Sequence, residues 1–135
     1  MQQLQSYEEM SFKEELWNAI THGAGFLISI PVTVLLIIHA SSMNSPVHIV
    51  TFSIFGSSVI LLFLMSTLLH SMPVKYKRFF AILDHSSIYI LIAGTYTPFL
   101  LIAIGGALGI TLLCIIWSIA LFGVVFKCYF IDRFE

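Results

Sequence analysis

The chain has 135 residues, of which 59% are hydrophobic and only 10% are charged, with a formal net charge of −1 and a mean hydropathy of +0.99. A soluble domain of this size leaves much of its surface in water and cannot hide so much apolar area, and the abundance of Leu, Ile, Val and Phe excludes disorder. Without a basic excess, nucleic-acid binding is not expected. These numbers indicate an integral membrane protein.

Four apolar stretches are long enough to cross a bilayer, which takes about 20 residues of helix. They run from about Asn18 to Ile38, Val47 to His70, Phe79 to Ile104 and Ala107 to Phe126. Short polar or glycine-containing connections separate them, and Pro98 predicts a kink in the third. The sequence therefore predicts an all-α, polytopic transmembrane helix bundle of four spans, forming a single membrane domain over residues 1–135.

The basic residues predict the orientation of these spans. All six fall on the side that holds both chain ends and the connection between spans two and three: Lys13, Lys75, Lys77, Arg78, Lys127 and Arg133. The opposite connections, residues 39–48 and 105–106, contain no Lys or Arg, and both histidines at the ends of the first, His39 and His48, are expected in this exposed loop. Because basic loops stay in the cytoplasm, both chain termini are predicted to be cytoplasmic.

Polar side chains concentrate at one depth in the first three spans. Asp84 lies six residues beyond Arg78, about 9 Å into the third helix. The other members of this level are Asn18 and His22 on span one and Ser66 and His70 on span two, with Glu15 just outside. In an antiparallel bundle, these groups can converge on one pocket open to the cytoplasm. The alternative is that Asn18 and Ser66 only let helices pack closely, and that His70 is an ordinary interfacial histidine.

A histidine beside a carboxylate suits zinc, whose catalytic sites combine three protein ligands with an open position for water. His70 is a candidate ligand, Asp84 a candidate acid–base group and Ser66 a candidate contact for a substrate carbonyl. His85 adjoins Asp84 on the helix, and neighbouring residues point about 100° apart, so the two are not expected to face one site. A complete zinc site is not expected from this chain alone.

Three motifs resemble those of the hemolysin III family, the bacterial branch of the progestin and adipoQ receptor group. Glu15-Leu-Trp-Asn18-Ala-Ile-Thr-His22 is similar to the first-helix E-x-x-N-x-x-x-H, and Ser66-Thr-Leu-Leu-His70 to the S-x-x-x-H that ends the second helix. The stretch from Leu83-Asp84-His85 to Pro98 resembles the third-helix block. The resemblance covers nearly the whole chain and places it in a bacterial plasma (inner) membrane.

The resemblance implies a fold of seven helices with a cytoplasmic N-terminus and, in related receptors and alkaline ceramidases, a zinc ion near the cytoplasmic side. It makes His70 a zinc ligand, Asp84 the aspartate beside the zinc-bound water and Ser66 a serine near that site. Glu15, Asn18 and His22 are motif residues without an implied ligand role. The implied reaction is hydrolysis of a lipid amide such as ceramide, whereas the bacterial members are named for lysis of red cells by pores.

The sequence departs from this pattern after span four, where it ends at Asp132-Arg-Phe-Glu135. Helices five to seven, with the H-x-x-x-H that supplies two zinc ligands, are not present, so the chain is expected to be truncated relative to the family and its zinc site incomplete. Expected partners are membrane lipids and either further copies of the chain or the missing helices. A zinc-dependent hydrolase, a pore-forming cytolysin and a receptor-like protein without catalysis are the three functions to weigh.

Overall fold

The computed structural model describes the backbone of residues 2–130 and the side chains of residues 12–130. This part of the chain is helical, and its elements are α1 (Gln2–Ser42), α2 (Pro46–Ser71), α3 (Val74–Pro98), a π-helical segment (Phe99–Ile104) and α4 (Gly106–Phe130). Four stretches of it are long and apolar enough to cross a membrane. The predicted all-α, polytopic membrane architecture is therefore confirmed, while the cytoplasmic location of the termini stays a prediction.

The helices extend beyond the predicted spans, and the connections are correspondingly shorter. Between α1 and α2 only residues 43–45 lie outside a helix. The prediction that His39 and His48 lie in an exposed loop is therefore wrong in part, because both belong to helices and His48 is only half-exposed. Hydropathy marks the apolar core of a span, whereas the helix continues through the polar interface as long as its backbone hydrogen bonds can form.

Neighbouring helices run antiparallel and form an open row. Small residues set the pairing, with Gly23 of α1 opposite Thr67 of α2, and Gly94 of α3 opposite Ser58 of α2. Among the described residues, backbone contacts join α1 to α2, α2 to α3 and α3 to α4, but they do not join α1 to α3 or α4. The bundle is therefore not closed, and α2 separates α1 from most of α3.

The interior of this row is built from small residues, and the large apolar side chains point outward. Leu27 and Phe122 are 69% and 72% exposed. Glycine, alanine, serine and threonine let membrane helices approach closely, whereas large apolar side chains are well solvated by lipid. The buried residues are accordingly mostly small: Ser29, Thr33, Ala40, Thr51, Gly56, Ser58, Ser66, Ser86, Ser87, Ala93, Gly94, Thr97, Leu100, Gly109, Ala120 and Gly123.

Buried hydroxyl groups satisfy their hydrogen bonds mainly within their own helices. Thr51 Oγ1 donates to the Val47 carbonyl, and Thr97 Oγ1 donates to the Ala93 carbonyl, each at 2.7 Å. Such bonds to the preceding turn let a hydroxyl lie in an apolar interior without an unpaired polar atom. The buried hydroxyl groups that make such bonds are thus compatible with the membrane, whereas the buried Ser86 Oγ has no hydrogen-bond partner among the described residues.

The third span changes helix type at Pro98, the residue predicted to distort it. α3 ends at Pro98, and the next six residues form a π-helix, after which the Gly105 amide donates to the Leu100 carbonyl at 2.9 Å. The chain then turns into α4 through Gly105 and Gly106, whose φ angles are 66° and 63°. Residues that carry a side chain rarely adopt such positive φ angles, so two glycines suit this tight connection.

The antiparallel order gathers the basic residues of the described chain at one end of the row. Lys13 lies near the start of α1, and Lys127 lies near the end of α4. Lys75, Lys77 and Arg78 occupy the first turns of α3, at the same end. This is the basic end of the row. Arg133, which supported the predicted orientation, lies outside the described residues.

Candidate functional site

A cavity of about 250 Å³ lies toward the basic end, where α1, α2 and α3 meet. Three polar residues from three helices face it, namely His22, Ser66 and Asp84, and apolar side chains complete its wall: Leu62, Phe63 and Ile88. The structure thus brings together three of the residues that were predicted to lie at the same depth in the membrane. An imidazole, a hydroxyl and a carboxylate around one cavity can together bind a polar group and transfer a proton.

His22 and Ser66 are directly hydrogen-bonded across the α1–α2 contact. Ser66 Oγ lies 2.5 Å from His22 Nδ1, and the serine is only 6% exposed. The Ser66 hydroxyl donates if the imidazole proton is on Nε2, and it accepts if that proton is on Nδ1. The Phe63 ring packs at 6.2 Å from the His22 ring, measured between centroids. Both contacts fix the orientation of the His22 imidazole at the cavity.

His70 lies one helical turn beyond Ser66, beside the cavity rather than in its wall. Its ring centroid is 5.9 Å from that of His22. Its Nδ1 atom is buried and has no hydrogen-bond partner among the described residues. Buried polar atoms are normally paired, so an unpaired imidazole nitrogen is a candidate position for a ligand.

Asp84 presents the one carboxylate of the cavity wall. It is half-buried and lines the cavity, and its backbone carbonyl accepts a hydrogen bond of 2.6 Å from Ser87 Oγ. His85, the next residue, is not among those that line the cavity. This agrees with the expectation that adjacent helical residues point in different directions.

Glu15 and Asn18 lie outside the cavity wall. Glu15 Oε1 forms an ion pair of 2.8 Å with Lys77 Nζ at the basic end. Asn18 is exposed, and its backbone carbonyl accepts a hydrogen bond from Thr21. Asn18 precedes the buried Thr33 by fifteen residues, which rotates it about 60° away from the packed face. Equal depth was therefore not sufficient to bring Asn18 to the site.

Lys77 also lies at this site. From the sequence, Lys77 served only to predict the orientation of the spans, and no role beside the cavity was predicted for it. Its ammonium contacts Glu15 of α1 and also donates to the Leu69 carbonyl of α2 at 2.9 Å. The signal that could have found it is its position in the first turns of α3, after the short connection that follows His70.

The described residues do not form a complete metal site. Within residues 12–130, no group of three or more His, Cys, Asp or Glu side chains is placed to hold a metal ion. His70 offers an unpaired nitrogen and Asp84 a carboxylate, whereas Nδ1 of His22 is engaged by Ser66. The chemistry of these donors suits zinc, but their number falls short of the three protein ligands of a catalytic site.

A larger cavity, of about 340 Å³, lies between α2, α3 and α4. Its polar wall consists of three serines and an indole, without an acid or a base: Ser53, Ser57, Ser58 and Trp117. The Trp117 indole N–H donates to Thr97 Oγ1 at 3.0 Å. The smaller cavity, whose wall contains an imidazole and a carboxylate, is therefore the candidate functional site.

Comparison with known proteins identifies relatives over most of the chain. It is 56% identical over 123 residues to Hemolysin-3 of Bacillus cereus, and 58% identical over 125 residues to the Hemolysin-3 homolog of Bacillus subtilis strain 168. These matches cover 90% and 92% of this chain but 56% and 59% of the two relatives. The chain thus spans less than three fifths of the relatives' length. No solved structure matches it.

The family model described as Haemolysin-III related matches residues 10–134. That range contains α1 from its third turn onward, the other three membrane helices and every residue of the cavity wall. The chain is an integral membrane protein that belongs to the haemolysin-III related family.

Proposed function

We propose that this membrane protein contributes part of a zinc-dependent hydrolase site that acts on lipid amides. The observation that carries the proposal is the buried, unpaired Nδ1 of His70 beside a cavity faced by Asp84 and Ser66. The basic end, on which the cavity lies, is taken as cytoplasmic because its residues include all the described Lys and Arg. The site would therefore face the inner side of a bacterial plasma membrane.

The residues present fit part of a zinc site. His70 would hold the metal through an imidazole nitrogen, with the Asp84 carboxylate close by, and the remaining ligands would come from outside the described chain. When bound, zinc supplies Lewis acidity, which makes water a nucleophile at neutral pH. The longer Bacillus relatives have room for such ligands, because the chain matches only 56% and 59% of their length.

The side chains of the cavity divide the remaining work between them. Asp84 is suited to accept a proton from a water molecule in the cavity and to return it to the leaving amine. Ser66 is suited to donate a hydrogen bond to the substrate carbonyl when His22 Nδ1 carries a proton and donates to Ser66 Oγ. A cavity of about 250 Å³ can hold an amide and its polar neighbours, while acyl chains lie against the apolar outer surface of the helices.

Zinc content tests the metal part of the proposal. The 135-residue chain and a longer form, in which the part of the Bacillus subtilis relative that this chain does not match is joined to it, are purified and their zinc is measured. We expect about one zinc ion per longer chain, because the proposed site holds a single metal ion. We expect this zinc to be lost in His70→Ala. His39→Ala is the matched control, since His39 is exposed on the same row of helices at the other end. Equal zinc in the wild type and His70→Ala would refute the role of His70.

Hydrolysis of a fluorescent short-chain ceramide tests the catalytic part. In the longer form, Asp84→Asn should lower the rate by about 10² to 10⁴, the range for loss of a positioned acid–base group. If Asp84→Asn leaves both zinc content and hydrolysis intact, the polar residues serve only to pack the helices, as in a receptor-like protein without catalysis.

Pore formation is a second candidate function, and the names of the two Bacillus relatives favour it. Purified chain added to liposomes that hold a self-quenched dye would release the dye if the chain forms pores. Heat-unfolded chain at the same concentration controls for non-specific disruption of the bilayer. The absence of leakage at every protein-to-lipid ratio would reject this function.

A further inference from the structure

One ammonium group joins the three helices that surround the cavity. Lys77 Nζ, on α3, lies 2.8 Å from Glu15 Oε1 of α1 and donates to the Leu69 carbonyl of α2 at 2.9 Å. The side chains of Lys77 and Glu15 are only 25% and 37% exposed. A cation held by two oxygens from different helices is more constrained than an isolated surface ion pair.

The ion pair connects two helices whose backbones do not touch. Within the described residues, α1 and α3 have no backbone contact, and the cavity lies between them, beside α2. The separation of α1 and α3 at this end is therefore set by how each packs on α2 and by the contact between Glu15 and Lys77.

The spacing along both helices places the ion pair directly below the cavity residues. Glu15 precedes His22 by seven residues, and Lys77 precedes Asp84 by seven residues. Seven residues make nearly two turns, so each pair lies on one face of its helix about 10 Å apart. Because α1 and α3 both run away from the basic end, the ion pair lies nearly two turns closer to that end than His22 and Asp84, and it sets the distance between α1 and α3 there.

The hydrogen bond to Leu69 reaches the turn that carries His70. Leu69 lies in the last turn of α2, where carbonyl groups lack partners within the helix. The negative end of the helix dipole also favours a cation at this position. The ammonium of Lys77 thereby holds the backbone next to the histidine whose Nδ1 is unpaired.

We propose that Lys77 is a positioning residue, which holds His22, His70 and Asp84 at fixed separations by tying α1 and the end of α2 to α3. Its effect on metal binding rests on the function proposed above, whereas its effect on helix separation does not. Lys75 offers the contrast, because its ammonium lies 5.5 Å from the ring centroid of Tyr76 and makes a contact within its own helix turn.

Distances between spin labels test the positioning role without metal. Labels are attached through Phe12→Cys on α1 and Phe79→Cys on α3, both exposed positions, in a chain whose exposed cysteines carry Cys114→Ser and Cys128→Ser. Lys77→Met and Glu15→Gln should each give a longer and broader distance distribution by pulsed electron resonance. Lys77→Arg should preserve the wild-type distribution, and so should the matched control Lys75→Met.

A wild-type distribution in both Lys77→Met and Glu15→Gln would overturn the proposal. Zinc affinity in the longer form gives the second readout, with Lys77→Met expected to weaken binding by about 10- to 100-fold, as changes around metal ligands do. Zinc affinity unchanged by Lys77→Met would also overturn it. If even the wild-type longer form binds no zinc, the proposed function fails, and the label distances alone decide whether Lys77 positions the helices.

Discussion

Replacing Gly56 with alanine tests how closely α1 and α2 are packed. A Cβ atom at Gly56 would lie closer than 3.0 Å to Cγ2 and Oγ1 of Thr33, which real Cβ atoms essentially never do, and 3.0 Å from the Thr33 Cβ, which is tighter than most real contacts. Thr33 is only 7% exposed, and its branched side chain has few rotamers on a helix. Because one of the three atoms is the Thr33 Cβ itself, rotation of the side chain cannot remove the overlap, and the helices must separate.

Two opposing terms set the size of the effect. Alanine is favoured over glycine inside a helix by about 1 kcal/mol. Overpacking a close contact costs about 1–3 kcal/mol, and the upper part of that range applies where backbone must move. We therefore expect Gly56→Ala to lower the free energy of unfolding by about 1–2 kcal/mol.

Unfolding by SDS in mixed micelles, followed by circular dichroism, measures this change. Gly23→Ala is the matched control, because its added Cβ would meet Thr67 Cγ2 at 3.6 Å, an ordinary contact, and it should be neutral or stabilising. Adding Thr33→Ala to Gly56→Ala removes two of the three overlapping atoms. The double variant should recover at least about 0.5 kcal/mol relative to the sum of the single changes, as expected for residues in contact.

The reasoning would be refuted if Gly56→Ala were as stable as the wild type while Gly23→Ala behaved as expected. The same holds if Thr33→Ala and Gly56→Ala were additive. Either result would mean that α1 and α2 lie further apart than the structure has them.

Three further predictions concern other contacts. Gly109→Ala should destabilise the chain more than Gly23→Ala in SDS unfolding, because its Cβ would overlap the backbone carbonyl of Leu100, which cannot rotate away. Trp117→Phe should cost about 0.6 kcal/mol in the same assay, the average for a hydrogen bond between membrane helices, through loss of the indole bond to Thr97. Ser66→Ala should shift the Nδ1 resonance of its partner in nitrogen-15 histidine spectra, whereas Ser118→Ala, an exposed change, should leave all histidine resonances in place.

The fold class could be predicted because the membrane imposes one requirement on every span, namely about 20 apolar residues whose backbone groups are paired within a helix. The ends of the helices could not be predicted, as His39 and His48 illustrate. Hydropathy falls at the membrane interface, whereas the backbone hydrogen bonds of the helix continue beyond it. The π-helical segment after Pro98 also escaped prediction. It depends on how the residues before Gly105 meet α4, which no local pattern encodes.

The site was partly predictable for a similar reason. Depth along antiparallel spans follows from counting residues, and this grouped His22, Ser66 and Asp84 correctly around one cavity. The direction in which a side chain points around the helix axis is harder to predict than its depth. Asn18 has the predicted depth but points away from the cavity. The link through Lys77 depends on the path of the short connection between α2 and α3, which brings the first turns of α3 back beside Leu69.

Stability and site geometry depend on different contacts in this row of helices, so they should respond separately to substitution. The α1–α2 contact at Gly56 and Thr33 lies more than ten residues along α1 from His22, toward the end away from the cavity. Near the cavity, the separation of α1 and α3 depends on the ion pair between Glu15 and Lys77 as well as on the local packing of each helix against α2. Gly56→Ala should therefore lower stability while leaving the distance between labels at residues 12 and 79 near its wild-type value.

Lys77→Met should change that distance with a smaller loss of stability, because partly exposed ion pairs contribute about 1 kcal/mol or less. If both variants altered stability and distance in proportion, the four helices would behave as one cooperative unit, and Lys77 would have no separate role in placing the residues of the site.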